Sequence, residues 1–258
     1  MIKYSWNISQ IYWNIFQIYS KHVGISSKYI HIYLQYIYNK FQIFLNKFHL
    51  FAQNVYVDLE LVLAVDVSSS VDEEEYQLQM RGVAAAFRHP DVIAAIEATG
   101  GNGIAVAMVQ WSDNEEQALV GGWHIIRNAS DAAQYARIIK RAPRIIPGGQ
   151  TSIAGALSFS IEEMNNNNID STRKVIDVSG DGRANNGIHP MNVRDLAIEQ
   201  GITINGLVII NEEPFLDGYF ERGVIGGRGG FMMIAEDYRD YAAMILQKLL
   251  REIGMPVS

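Results

Sequence analysis

The chain contains no cysteine. That excludes disulfides, thiolate metal sites and cysteine nucleophiles, and it leaves the cytosol, the periplasm and the outside all open. Acidic residues are missing from positions 1–57, which carry five lysines. From Asp58 onward the other 16 Lys and Arg stand against all 28 Asp and Glu, a balance of −12. A body this acidic has no basic stripe to meet phosphates, which excludes nucleic acid as the partner. No run of about 18 uninterrupted apolar residues occurs, so a clean membrane-spanning helix is unsupported. Gly-x-Ser-x-Gly is missing too, and a serine nucleophile lacks its strand-to-helix elbow. The body's three histidines, His89, His124 and His189, have no spacing that pairs one with a serine and a carboxylate. The glycine-rich stretches at 100–103 and 226–230 do not follow the strand-to-helix grammar of a phosphate loop. The second reads as a turn into the last strand.

What is present divides into two unequal parts. The length of 258 residues suits one full domain and an appendage, and 48% hydrophobic residues describe a substantial core. Residues 1–54 form the appendage. Its first fifty positions hold ten isoleucines and seven of the thirteen tyrosines, with no alanine or proline and one glycine, Gly24. Polar residues recur there in steps of three and four, which predicts two amphipathic helices turning at Gly24–Ser27. Such a basic segment suits association with a membrane surface through residues 1–50, and it equally suits a biased leader with no evolved role. It lacks the charged start, compact apolar centre and small-residue cleavage site of a secretory signal.

Residues 58–254 alternate between the two periodicities. Strands are expected at Leu59–Val65, Ile104–Trp111, Gln117–Trp123, Lys174–Ser179, Thr203–Ile210 and Phe231–Ala235. Helices are expected at Glu73–Phe87, Asp131–Arg141, Ser152–Met164 and Met191–Gln200, with a last one from about Asp237 to Glu252. The pattern predicts an α/β fold of Rossmann-like, doubly wound kind, a mainly parallel sheet flanked by helices. Such sheets bind ligands beyond the carboxyl ends of their strands.

Three polar stretches fall at such ends: Asp66-Val67-Ser68-Ser69-Ser70, Gly148-Gly149-Gln150-Thr151-Ser152 and Ser179-Gly180-Asp181-Gly182. Each has an ordinary explanation. Ser70 to Glu73 fits a capping box, Thr151 or Ser152 fits an N-cap, and the third fits a turn whose glycines take positive φ. Capping leaves Asp66 unexplained, because a carboxylate abutting a buried run is costly unless something pairs with it. If the loops converge, Asp66, Ser68, Ser70, Thr151 and Asp181 assemble two carboxylates and three hydroxyls. That hard-oxygen set suits Mg²⁺, Mn²⁺ or Ca²⁺ rather than Zn²⁺. Mg²⁺ fits best, since it keeps several waters and needs few carboxylates.

These residues resemble a known family. Asp66-Val67-Ser68-Ser69-Ser70 is similar to the Asp-x-Ser-x-Ser signature of the von Willebrand factor type A domain, and Thr151 and Asp181 follow in the order and spacing of its later metal residues. The resemblance implies a metal-ion-dependent adhesion site. Ser68, Ser70 and Thr151 would offer hydroxyls, Asp66 and Asp181 would act directly or through water, and a partner's carboxylate would fill the open position. Over about Asp58–Gly254, stretches such as VDLELVLAVDVS, RKVIDVSGDG, GITINGL and VIGGRGGF resemble a bacterial branch catalogued as domain of unknown function 1194. Arg228 stands where that branch is expected to have proline. Its members commonly begin with an export signal, which implies a periplasmic, extracellular or membrane-associated protein.

The resulting expectation is a monomeric, non-enzymatic module that grips an Asp or Glu carboxylate of a protein partner through a divalent cation. The alternative is a Mg²⁺-dependent phosphoryl-transfer or hydrolytic enzyme at the same crevice. Against it, the sequence offers no evident general base and no phosphate-binding motif, Arg183 being the one nearby cation.

Overall fold

A computed structural model of the chain describes residues 40, 54–211 and 213–254. The paired helices expected over residues 1–50, and the membrane association read from them, lie outside the described residues apart from Lys40. In chain order the elements are β1 (Val55–Asp66), α1 (Glu73–Ala86), α2 (Pro90–Glu97), β2 (Ile104–Trp111), β3 (Gln117–Ile126), α3 (Ala129–Lys140), α4 (Ile153–Asn165), β4 (Ile169–Gly180), α5 (Pro190–Glu199), β5 (Ile202–Ile209), α6 (Leu216–Gly223), β6 (Met232–Ala235) and α7 (Tyr241–Ile253).

The strands form one sheet in the order β3-β2-β1-β4-β5-β6. Every neighbouring pair is parallel except the β2–β3 hairpin. β1 is a nearly unbroken apolar run because both of its faces are covered. Leu59, Leu61, Leu63 and Val65 join the core beneath α1, α2, α3 and α7. Val62 and Ala64 point the other way, into the core shared with α4, α5 and α6. The same two-residue period splits β2, with Ile104, Val106 and Met108 on the first side and Ala107, Val109 and Trp111 on the second.

This order places the topological switch at the centre of the sheet. β1 is followed by β2 on one side and is flanked by β4 on the other, so the chain reverses its direction of winding there. Asp66 stands opposite Trp111 of β2, and Val65 stands opposite Ser179 of β4. The carboxyl ends of β1 and β4 are thus adjacent, and Asp66 and Asp181 leave them into one crevice.

Several boundaries differ from the sequence reading. β1, β3 and β4 are longer than expected. Two short helices, α2 and α6, were not anticipated. The last helix begins at Tyr241, so Tyr238 lies in the turn before it.

Candidate metal centre

The loop after β1 curls over the strand's tip because its own backbone is gathered there. The Ser68 amide donates to Asp66 Oδ1 at 2.7 Å, and the Val67 amide to the Trp111 carbonyl at 2.9 Å. The Arg144 guanidinium donates to the carbonyls of Val67, Ser68 and Val71 at 2.7, 3.0 and 2.9 Å. Gln79 adds a bond to the Asp66 carbonyl at 3.2 Å. So held, the Ser68 and Ser70 hydroxyls lie 3.1 Å apart. Ser70 then donates to Asp181 Oδ1 at 2.8 Å, and the Tyr238 hydroxyl donates to Asp181 Oδ2 at 3.0 Å. Asp66, Ser68 and Asp181 are buried while Ser70 is exposed, so the cluster opens to solvent at Ser70.

The capping expectation for Ser70 is corrected here. The N-cap of α1 is Asp72, which accepts from the Glu75 amide at 2.8 Å while Glu75 accepts from the Asp72 amide at 2.9 Å. A carboxylate at the helix start also meets the positive end of the helix dipole. The box therefore sits two residues later, and Ser70 is released to face Asp181. The glycines of the Ser179–Gly182 stretch do not take positive φ either. Gly180 serves close approach instead: a Cβ there would stand 3.1 Å from Asp66 Oδ2 and 3.5 Å from the Trp111 ring.

Thr151 enters from the α3–α4 loop. Ser69 and Gly149 exchange two hydrogen bonds, at 3.0 and 3.1 Å. The Thr151 amide donates to Asn185 Oδ1 at 2.8 Å, and its carbonyl accepts from the Asn185 amide at 2.9 Å. Ser152 caps α4. Asp66, Ser68, Ser70 and Asp181 thus form one hydrogen-bonded chain. The loop that carries Thr151 is tied to the loop after β1 through Gly149 and to the loop after β4 through Thr151's own amide and carbonyl.

The electrostatics of the cluster are unbalanced. Burial and the neighbouring Asp181 carboxylate push Asp66 up to about 7, against the opposing pull of Ser68 and Arg144. Asp66 Oδ2 is buried and has no hydrogen-bond partner. An orphaned carboxylate oxygen beside a second carboxylate is costly without a cation. The donors are all hydroxyl and carboxylate oxygens, which fits a hard divalent ion. Among the described residues no three His, Asp or Glu side chains gather into a metal cage, so any ion here would depend on the hydroxyls. Burial, Asp181 and Asp66 hold the Tyr238 phenol far above its ordinary range, which keeps it a donor.

Tyr238 and Arg144 escaped the sequence reading. Tyr238 falls inside the span expected for the last helix, about Asp237 to Glu252, and Arg144 has no pattern to mark it. Arg183 is engaged elsewhere, pairing with Glu213 at 2.6 Å. His89 and His189 are N-caps followed by proline.

The doubly wound sheet has the fold of von Willebrand factor type A domains, and the Asp-x-Ser-x-Ser loop lies at its switch point. The profile of a family described as a protein of unknown function, DUF1194, matches residues 56–257, and the chain belongs to that family. No curated protein matches the sequence. Among solved structures, proximal thread matrix protein 1 from the mussel byssus is similar with a TM-score of 0.59 at 17% identity, over 78% of this chain and 48% of that one. A further structure of the mussel protein, described as having a zinc-occupied MIDAS motif, aligns with a TM-score of 0.54 at 18% identity, over 78% and 49%. A von Willebrand factor type A protein from Catenulispora acidiphila gives 0.56 at 16% identity over 80% and 49%. The vWF domain of the type V pili tip protein Mfa5 from Porphyromonas gingivalis gives 0.54 at 14% identity over 78% and 98%. The chain thus spans about half the length of the first of these structures. At these identities the likeness is one of fold.

Proposed function

We propose that this protein is a divalent-cation-dependent protein-binding module, in which Asp66, Ser68, Ser70, Thr151 and Asp181 hold the ion and a partner's Asp or Glu carboxylate completes its coordination. The observation that carries this reading is Asp66 Oδ2, buried and unpartnered in a cluster that also holds Asp181 and opens to solvent at Ser70. A bound Mg²⁺, Mn²⁺ or Ca²⁺ would supply the positive charge that a carboxylate needs in a domain otherwise this acidic. The protein's own residues supply rigidity. Arg144 fixes the loop backbone, Ser70 and Tyr238 fix both oxygens of Asp181, and Gly180 leaves room beside Asp66. The pilus-tip and byssus relatives lend support to an adhesive role and to a site outside the cytosol. The zinc of the byssus protein adds Zn²⁺ to the ions worth testing.

The enzyme alternative gains no specific support. Arg144 and Arg183, the guanidinium groups flanking the crevice, are spent on loop carbonyls and on Glu213. Calorimetric titration of the full chain with Mg²⁺, Mn²⁺, Ca²⁺ and Zn²⁺ tests the proposal. Binding of at least one ion is expected in the wild type and is lost in Asp66→Ala. A wild type that binds none ends the reading. Metal-dependent hydrolysis of p-nitrophenyl phosphate, lost in Asp66→Ala, decides for the enzyme instead.

A further inference from the structure

Phe215 breaks two rules at once. Its φ is +65°, and the only other non-glycine with positive φ among the described residues is Asn168. Asparagine tolerates that region, whereas for a bulky side chain it is an outlier. Phe215 is also 81% exposed, the highest value for a large hydrophobic side chain among the described residues.

The backbone conformation has a local cause. Glu213 is pinned, its carboxylate taking the Arg183 side chain at 2.6 Å and the Arg183 amide at 3.0 Å. Leu216 opens α6 fully buried. Phe215 must bridge the two, and it does so without any side-chain cap for α6. This explains the turn but not the ring. Glycine or asparagine would make the same turn at lower cost and expose no apolar surface.

The position of the ring supplies a reason. Arg183 is two residues beyond Asp181 and Glu213 two before Phe215, so their ion pair ties the Phe215 loop to the loop of the metal centre. Two more exposed apolar residues stand on loops at this edge of the sheet. Ile188, 57% exposed, follows Gly187, which packs on Asn114 and Ser152. Ile145, 51% exposed, follows Arg144, and its amide donates to Gln110 Oε1 at 2.7 Å.

We infer that Phe215 is the apolar anchor of the partner site, held beside the metal centre to receive a hydrophobic side chain next to the partner's carboxylate. The inference rests on the metal-dependent reading above. It specifies the partner as a protein segment with one Asp or Glu set among Leu, Met or aromatic residues. Charge favours the same choice, because an excess of 12 negative charges over residues 58–258 repels a multiply acidic segment. A lone carboxylate gives little selectivity, since acids occur on every surface; an aromatic contact in a desolvated spot supplies it.

The test is a set of labelled peptides Gly-Ser-X-Asp-X-Ser-Gly, with X as Gly, Ser, Leu or Phe, and an Asn control for Asp. They are titrated against the full chain in Mg²⁺ and in EDTA. Leu and Phe peptides are expected to bind about tenfold more tightly than Gly and Ser peptides. In Phe215→Ser and Phe215→Asn that preference collapses, while dependence on Mg²⁺ and on Asp persists. Phe215→Asn is also expected to melt a few degrees higher, because it relieves the backbone without loss of buried contacts. An apolar preference that survives in both variants overturns the inference, as does a wild type with no preference among peptides that bind through Asp and Mg²⁺. No Mg²⁺- and Asp-dependent binding of any peptide removes the metal reading and this inference with it. Wild-type partition onto phosphatidylcholine–phosphatidylglycerol vesicles, lost in Phe215→Ser, assigns the ring to a membrane and also overturns the inference.

Discussion

Replacing Lys248 by methionine tests the buried charge cluster that ties α7 to the sheet. The ammonium is fully buried, 2.7 Å from Asp177 Oδ1 on β4 and 2.5 Å from Glu252 Oε1 one turn along α7. Glu252 Oε1 also accepts from Asn205 at 2.8 Å, and Asn205 takes the Phe231 amide at 3.1 Å. Burial pushes Asp177 up to about 7, with Lys248 opposing the rise and Glu252 adding to it. Methionine fills similar space but removes the cation that bridges two buried carboxylates. Breaking such a pair costs about 3–5 kcal/mol, a large share of the roughly 5–15 kcal/mol that holds a domain together. The sign of the pH effect follows from the same geometry. The lost ammonium stabilised the ionised Asp177 carboxylate, so the loss must shrink as Asp177 takes up its proton. Urea unfolding followed by circular dichroism should give a loss of about 3–5 kcal/mol at pH 8 and less than half of it at pH 5. A loss below about 1 kcal/mol at pH 8, or equal losses at both pH values, would refute the reasoning.

Two further outcomes follow from the same neighbourhood. Asp177 is raised from its ordinary 3.8 to about 7, so the folded state holds its proton more tightly and stability falls as pH climbs through that window. Asp177→Asn should flatten that decline in melting temperature between pH 4 and pH 7.5, and a variant as steep as the wild type would count against the shift. Tyr238→Phe removes the donor to Asp181 Oδ2. Mg²⁺ affinity measured by calorimetry should weaken by about tenfold, the lower end for a group that orients a ligand, with the melting temperature shifting by only a few degrees. Unchanged affinity would show that Tyr238 does not orient the site.

Legibility of the fold tracked whether an element's signal was local. β2 was readable at both ends, Ile104–Trp111, because an apolar run is bounded by Gly103 and Ser112. β1 and β4 were readable only in their apolar cores. Their first halves pair with each other, Val55 to Ile169 and Val57 to Ser171, through segments in which the buried Val57 and Ile169 stand beside the exposed Tyr56 and Asp170. Nothing in either segment alone announces that pairing, since it exists only once both are present. α6 was missed for a related reason: it starts at a capless, left-handed Phe215 where no helix-start signal exists. α2 does carry a start signal, His89 before Pro90, but it is a histidine cap on an eight-residue helix.

At the proposed site, the sequence marks five oxygen-bearing residues but does not rank them. Ser70–Glu73 and Asp72–Glu75 are overlapping capping patterns, and only the structure assigns the cap to Asp72. That choice has a chemical consequence, because a Ser70 spent on the helix could not reach Asp181. The two carboxylates are likewise equal in sequence and unequal in space. Asp181 has one oxygen taken by Ser70 and the other by Tyr238, from 57 residues away. Asp66 has one oxygen on the Ser68 amide and one with no partner. Under the proposed reading, Asp66 Oδ2 is then the carboxylate oxygen left to meet a cation, while Asp181 orients the hydroxyl of Ser70. Asp66→Asn should therefore weaken metal binding more than Asp181→Asn, since the first replaces the unengaged oxygen's charge and the second alters a group already held by two donors. Calorimetric affinities in the opposite order would mean that the ion draws Asp181 away from Tyr238.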